Sequence, residues 1–276
     1  MFELPEYIIL ARQINKKIAG KTVKKGNLGN SPHKFVWYNR KHDEFTKLTR
    51  GKVVGKARVQ GRWLIIPLET GYNLVLGECG GRILYHPADS ELPEKYHLWL
   101  EFEDGSSFTA TTQMWGAMEL YEAGREQERR YIKNMRVTPI DRAFTFKYFS
   151  SLIDELIKGE KRSTKSLLTQ AQLIPGLGNS SAQDILFQAH LLPQRALSDL
   201  SSGQRHDLYD SIVETVRAII DQGGRYDEVD LFEKSGGYVR LMDNKAVGKP
   251  CPECGTKIKK IQYLGGACYF CPNCQV

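Results

Sequence analysis

Apolar residues recur at helical spacing near the start of the chain: Tyr7, Ile8, Leu10, Ala11, Ile14 and Ile18. That period predicts an amphipathic helix over 6–19. Pro5 stands in its first turn, where a missing N–H is tolerated, and Gly20 supplies a stop. From residue 21 to about 118 the period changes. Short β-favouring stretches recur at 52–58, 62–68, 73–76, 97–102 and 107–112, with turn residues at Gly61, 69–71 and Asp104-Gly105 between them. Runs of short strands predict an antiparallel sandwich or barrel. After about residue 131 the helical period returns. Phe149, Leu152, Ile153, Leu156 and Ile157 mark one helix, and Ile185, Leu186 and Ala189 a second. Leu208, Tyr209, Ile212, Val213, Val216, Ile219 and Ile220 mark a third, which ends at Gly223 and Gly224. A loop rich in Gly, Asp and Lys runs on to about Pro250. No internal repeat or low-complexity tract interrupts this order.

A length of 276 residues accommodates two modest domains, each with its own core. No apolar run is long enough to span a bilayer. The first residues lack the basic segment, apolar stretch and small-residue cleavage site of a secretory signal. These features predict a cytoplasmic protein with no membrane partner. The net charge of +7 is a mild excess. It suits a polyanionic partner, and equally the solvated lysines of an ordinary enzyme. Of six cysteines, four crowd the C-terminus, while Cys79 and Cys268 stand apart. Such a chain is a poor candidate for a disulfide framework, and a metal site fits better.

The four terminal cysteines form two knuckles, Cys251-Pro-Glu-Cys254 and Cys271-Pro-Asn-Cys274, with sixteen residues between them. Two residues between cysteines let one tight turn aim both thiolates at one ion, and two such turns complete a tetrahedral shell. A closed four-sulfur shell leaves no position for water, so one structural zinc is expected at Cys251, Cys254, Cys271 and Cys274. Ile258, Ile261, Tyr263, Tyr269 and Phe270 flank Gly265-Gly266, which predicts a β-hairpin with a glycine turn. Zinc ribbons serve DNA binding, RNA binding and plain stability, so the finger alone names no partner.

The segment from Lys165 to Asn179 ends in Gly-Leu-Gly-Asn and leads into an apolar helix through Phe187. Asn179 is placed to cap that helix, where backbone N–H groups bind phosphate well; a capped helix in a core would read the same way. The surrounding sequence is more specific. Ile174-Pro-Gly-Leu-Gly-Asn179, followed by Ile185-Leu-Phe187 and Pro193, resembles the helix–two-turn–helix signature of the formamidopyrimidine-DNA glycosylase and endonuclease VIII family. Phe2-Glu-Leu-Pro-Glu6 resembles that family's N-terminus. Arg50-Gly-Lys-Val-Val-Gly55 and Gly61-Arg-Trp-Leu64 resemble its first strands, and Cys271-Pro-Asn-Cys-Gln275 its last zinc knuckle. The resemblance implies an α+β fold: an N-terminal helix plus antiparallel β-sandwich over 1–130, a helix–two-turn–helix domain over 131–224, and a loop with a four-cysteine zinc finger over 225–276. It also implies a monomer, associated with the nucleoid, that binds damaged or distorted double-stranded DNA between its domains and extrudes the damaged nucleotide. By position, Lys165 and Asn179 resemble the family's phosphate-gripping pair.

Several positions depart from the family pattern. The family nucleophile is a proline exposed by removal of the initiator methionine, whereas this chain has Phe2, a bulky residue that normally keeps Met1 in place. The amine would then be primary and displaced by up to ~3.8 Å, and even ~1 Å of misplacement can cost about 10²-fold in rate. Glu3 matches the family's acid/base; it also reads as a first-turn carboxylate complementing the helix dipole. Glu6 matches as well. Arg62 stands where a lysine is expected. Arginine keeps the charge but cannot serve as an amine nucleophile. Glu78 replaces the methionine, and Gln113 the arginine, that fill the hole left by the extruded base. Trp115 keeps an aromatic wedge. The finger arginine aligns with Gly266, with Lys257, Lys259 and Lys260 nearby. Two readings follow: a divergent repair glycosylase using Glu3, with Met1 and Phe2 at the nucleophile position and proline-type lyase activity lost or weak, or a catalytically inactive binder of damaged DNA. A more remote third is a zinc-ribbon nucleic-acid protein with no link to lesions.

Overall fold

The computed structural model describes residues 1–31, 34–133 and 135–276, in two compact units. The first comprises Met1–Met135 and Gln222–Tyr238; the second comprises Arg136–Asp221 and Val239–Val276.

In the first unit, α1 spans Leu4–Lys17. It begins two residues before the apolar period predicts, because Glu3 and Glu6 close a reciprocal capping box and Pro5 suits the first turn. Lys16 and Lys17 complement the partial negative charge of its last turn. There follow β1 (Val23–Asn27), β2 (Val36–Trp37), α2 (His42–Thr49), β3 (Val53–Val54), β4 (Arg58–Gln60), β5 (Trp63–Glu69), β6 (Tyr72–Gly77), β7 (Gly81–His86), β8 (Leu98–Phe102), β9 (Ser107–Thr112) and β10 (Gly116–Glu122). One sheet has the order β1-β8-β9-β7; the other has β2-β10-β6-β5-β3, with β4 also on β5. Pairings are antiparallel except that of β2 with β10.

Leu64, Ile66, Leu74 and Leu76 of one sheet share a core with Ile83, Leu98, Leu100, Phe108 and Ala110 of the other, and with Phe2, Tyr7, Leu10 and Ile14. This is the expected sandwich. The opposite face of β5 is covered too: Trp63 and Ile65 pack with Val75, Ala117 and Ile132. Burial on both faces explains why β5 reads as an unbroken apolar run rather than an alternation. The expected strand at 52–58 is interrupted, with pairing only at β3 and from Arg58 onward. The apolar pattern does not mark β1, β7, β10 or α2. Of these, β1 and α2 carry few apolar residues, and α2 buries only Phe45 and Thr49. Strands β7 and β10 each open on a glycine, which reads as a turn.

In the second unit, α3 (Phe146–Leu156), α4 (Thr164–Thr169), α5 (Asn179–Gln188) and α6 (Ser202–Asp221) precede a hairpin of β11 (Lys259–Tyr263) and β12 (Gly266–Phe270). Helices α3, α5 and α6 match the periodic stretches, and α5 packs on α4, α6 and β12. Gly178, not Asn179, occupies the N-cap of α5, so Asn179 is its first helical residue. The hairpin turns at Leu264 and Gly265, both at positive φ, one residue before the expected pair. Among the described residues, no helix is long and apolar enough to cross a membrane.

Candidate active site and nucleic-acid interface

The first residues of the chain are fixed by packing and by charge. Phe2 is fully buried, its N–H donates to the Cys79 carbonyl at 3.0 Å, and its ring meets Tyr7 edge-on at 5.7 Å. Phe2 is thus a core anchor. Glu3 and Glu6 are also buried. Their countercharge comes from Arg225, only 1 % exposed. Arg225 Nε donates to Glu6 Oε1 at 2.9 Å, and Nη2 donates to Glu6 Oε2 at 3.2 Å and to the Met1 carbonyl at 2.9 Å. Nη1 lies 3.5 Å from Glu3 Oε1, and Nη2 lies 3.6 Å from Glu228 Oε1. The Met1 α-amino group donates to the same Glu228 oxygen at 2.5 Å. Three carboxylates therefore share one guanidinium and one terminal amine. Burial pushes the Glu6 carboxyl above its ordinary value against the opposing pull of Arg225. Burial works against the Arg225 charge too, but Glu6, Glu3 and Glu228 hold the guanidinium above its ordinary value.

Backbone geometry delivers Arg225 to this place. Gly224 takes φ +104°, and a Cβ on Gly236 would lie 2.1 Å from the Gly224 carbonyl oxygen. Only glycine allows that approach. The two stretches are joined by Tyr238 N–H to Gly224 O at 3.0 Å and Tyr226 N–H to Tyr238 O at 2.9 Å. Sequence reasoning missed Arg225; its only signal was an arginine after two glycines, followed by Asp227, Glu228 and Asp230.

Other expected residues collect beside Met1. Arg62 Nη2 donates to Glu78 Oε1 at 3.0 Å, and its Nη1 lies 3.8 Å from Met1 Sδ. Glu78 sits at φ +53°, in the left-handed region. Gly80 is next to Met1, its virtual Cβ 3.7 Å from Met1 Cα. Gly80 N–H donates to Thr112 Oγ1 at 3.3 Å, and Gln113 N–H donates to Gly80 O at 3.1 Å. Thr112 Oγ1 also bonds the Trp115 carbonyl. The exposed turn bearing Gln113 and Trp115 is thereby tied to the loop beside Met1.

In the second unit, Lys165, Asn179 and Gly266 converge. Lys165 is 1 % exposed, and its Nζ donates to the carbonyls of Tyr263 at 2.6 Å and Gly266 at 3.3 Å. Among the described residues no carboxylate pairs with it. Asn179 is exposed, and its amide donates to Ala267 O at 3.3 Å. A Cβ on Gly266 would lie 3.3 Å from Asn179 Oδ1 and 3.5 Å from Lys165 Nζ. Sulfurs of Cys251, Cys254, Cys271 and Cys274 all lie within 4.8 Å of one another and can hold a metal ion. Two of their separations, 3.8 and 3.5 Å, suit a tetrahedral shell with metal–sulfur bonds of ~2.3 Å. Cys268 lies outside this group, buried in β12.

Known proteins resemble this chain in sequence and in fold. Residues 1–118 match the family model for the formamidopyrimidine-DNA glycosylase N-terminal domain. The chain is 29 % identical to the formamidopyrimidine-DNA glycosylase of Desulforamulus reducens, covering 100 % of this chain and 99 % of that one. It is 28 % identical to the enzyme of the same name from Cytobacillus firmus, covering 100 % of both. Its fold is similar to that of Lactococcus lactis Fpg in a complex with abasic-site-containing DNA, with a TM-score of 0.85, 25 % identity and 99 % of each chain covered. It is equally similar to the same protein in a complex with DNA containing a formamidopyrimidine lesion.

Proposed function

The chain belongs to the formamidopyrimidine-DNA glycosylase and endonuclease VIII family, and on that premise we propose that it is a damaged-DNA glycosylase that works by hydrolysis, with Glu3 as its acid/base. The observation that carries this reading is the shared charge at the N-terminus. Glu3 is a buried carboxylate beside a buried guanidinium, while the Met1 amine is engaged by Glu228. In the proposed reaction, water oxygen bonds to the sugar C1′ as the C1′–N bond to the damaged base breaks. Glu3 takes the proton from that water, and the departing base is protonated from solvent. The role of Arg225 is to hold Glu3 and the Met1 carbonyl in place. Proline-type lyase chemistry, which needs an amine bonded to C1′, is lost or weak.

The partner is damaged or distorted duplex DNA. Lys165 supports a phosphate grip, because among the described residues its buried ammonium meets carbonyl oxygens and no carboxylate, so its charge is left without a countercharge. Asn179 beside it, at the start of α5, supports the same role. Gly266, where the family carries an arginine, sets no side chain against either of them. The metal is one structural zinc, since four thiolates make a soft, closed shell that suits it.

The test is base release from a panel of lesion-bearing duplexes. Expected is release without covalent trapping, abolished in Glu3→Gln while DNA affinity is kept. Tight binding with no release on any lesion would move the protein to the inactive-binder reading.

A further inference from the structure

Trp115 does not stand alone as a wedge. Its ring stacks on Trp37 with centroids 5.4 Å apart and planes 12° apart, and it meets Phe35 at 4.6 Å. All three rings are exposed, Trp37 by 44 % and Trp115 by 39 %. Tryptophan at such exposure is uncommon, since its large apolar body is normally buried. The backbone builds the group. The two-residue strand β2 runs parallel to the start of β10, with Val36 opposite Gly116 and Trp37 opposite Ala117. Gly116 N–H donates to Phe35 O at 3.2 Å, which locks the two stretches side by side. Exposed Met114 lies next to Trp115 in the chain, and the Lys34 ammonium lies 5.0 Å over Phe35. The turn beneath is tied through Thr112 and Gly80 to the loop beside Met1.

A pair of stacked indoles is about twice as thick as one base step, whose rise is about 3.4 Å. Driving the pair between base pairs would open the duplex by two layers, at a cost of a few kcal/mol per step. A base that is already unpaired offers its π-face at no such cost. Stacking of this kind is tolerant of sequence, because every base has a π-face.

We infer that Trp37, Trp115 and Phe35 form an end-stacking platform for an unpaired DNA base, so that the protein selects DNA already opened at the site over intact duplex. This rests on the DNA-binding reading given above and adds the form of DNA preferred. Lys34 supplies a cation for the adjoining backbone, and the continuity with the Met1 loop sets the platform beside the proposed chemistry. An intercalating wedge needs only Trp115, whereas the platform needs Trp37 as well.

The experiment measures affinity of the full chain for three labelled DNAs of equal length: a perfect duplex, a duplex with a central unpaired bubble, and a single strand. Base–aromatic stacking is worth about 1–3 kcal/mol per base. The bubble should therefore bind on the order of 10-fold more tightly than the duplex, with quenching of tryptophan fluorescence. Trp37→Ala should erase most of that preference and leave duplex affinity alone, and Trp115→Ala should erase it as well. Trp37→Phe should keep part of it, which separates stacking from a packing role in β2. Lys165→Ala should weaken all three DNAs alike. An unchanged bubble-to-duplex ratio in Trp37→Ala, or equal binding of all three DNAs by the wild type, overturns the platform alone. Failure to bind any of the three overturns both the platform and the DNA-binding reading.

Discussion

Removing the Arg225 guanidinium would leave Glu3, Glu6 and Glu228 facing one another where little water reaches. A buried charge stripped of its partner costs about 3–5 kcal/mol. Arg225→Met should therefore destabilise the first unit by that order, read from denaturant unfolding. Arg225→Lys keeps the charge but loses the fork that reaches Glu6, Glu3 and the Met1 carbonyl together, so it should recover only part of the loss. Equal stability of Arg225→Met and wild type would show that the network holds nothing in place. The same residues show what a sequence can and cannot disclose. Glu3 and Glu6 are legible because they stand in a motif beside a helix start. Arg225 lies 219 residues from Glu6, and its position is set by the close approach of Gly224 and Gly236. Nothing local in the sequence fixes an approach between glycines twelve residues apart.

At the scale of elements, the four-cysteine hairpin reaches beyond its own fold. A two-stranded hairpin is marginal in water without further support. Here, β11 and β12 supply the carbonyls that bind Lys165, Asn179 and Gln183, so the hairpin organises the proposed phosphate grip. Carefully purified protein should hold one zinc per chain. Chelation should abolish amide protection over 251–276 and weaken DNA binding at least about 10-fold, leaving protection in β5 and β6 intact, because metal binding is coupled to local folding. Retained protection after complete zinc removal would mean that packing on α5 suffices. The hairpin was readable since cysteine spacing and apolar alternation agree. Elements such as β1 and α2 were not, because β1 buries one side chain, Val23, and α2 two, Phe45 and Thr49, and their place is set by neighbouring strands. The return of Gln222–Tyr238 to the first unit was equally silent, since a glycine-rich loop has no periodicity to read.

Across the whole molecule, a fold kept from end to end coexists with changes at the proposed reaction centre, and the N-terminus is where the two meet. In a proline-type lyase the terminal amine must reach C1′ unencumbered. Here Phe2 spends its N–H on Cys79 and its ring on the core, so the chain cannot slide to bring a different atom forward. The amine sits one residue further out, hydrogen-bonded to Glu228, with the Met1 carbonyl held by Arg225. Borohydride should thus trap little or no covalent complex with abasic-site DNA, against a proline-bearing relative in the same assay. Phe2→Pro tests the cause. It would permit Met1 removal and supply the ring amine, but it also deletes a fully buried aromatic, a change that costs about 3–5 kcal/mol when the cavity stays open. It leaves Glu78, Gln113 and Gly266 as they are. Trapping by Phe2→Pro should accordingly remain well below that of the relative, and the variant should unfold at lower denaturant. Efficient trapping by the unmodified chain would instead make the Met1 amine a working nucleophile, with Glu228 as the carboxylate nearest to accept its proton, and would replace hydrolysis by lyase chemistry at the same site.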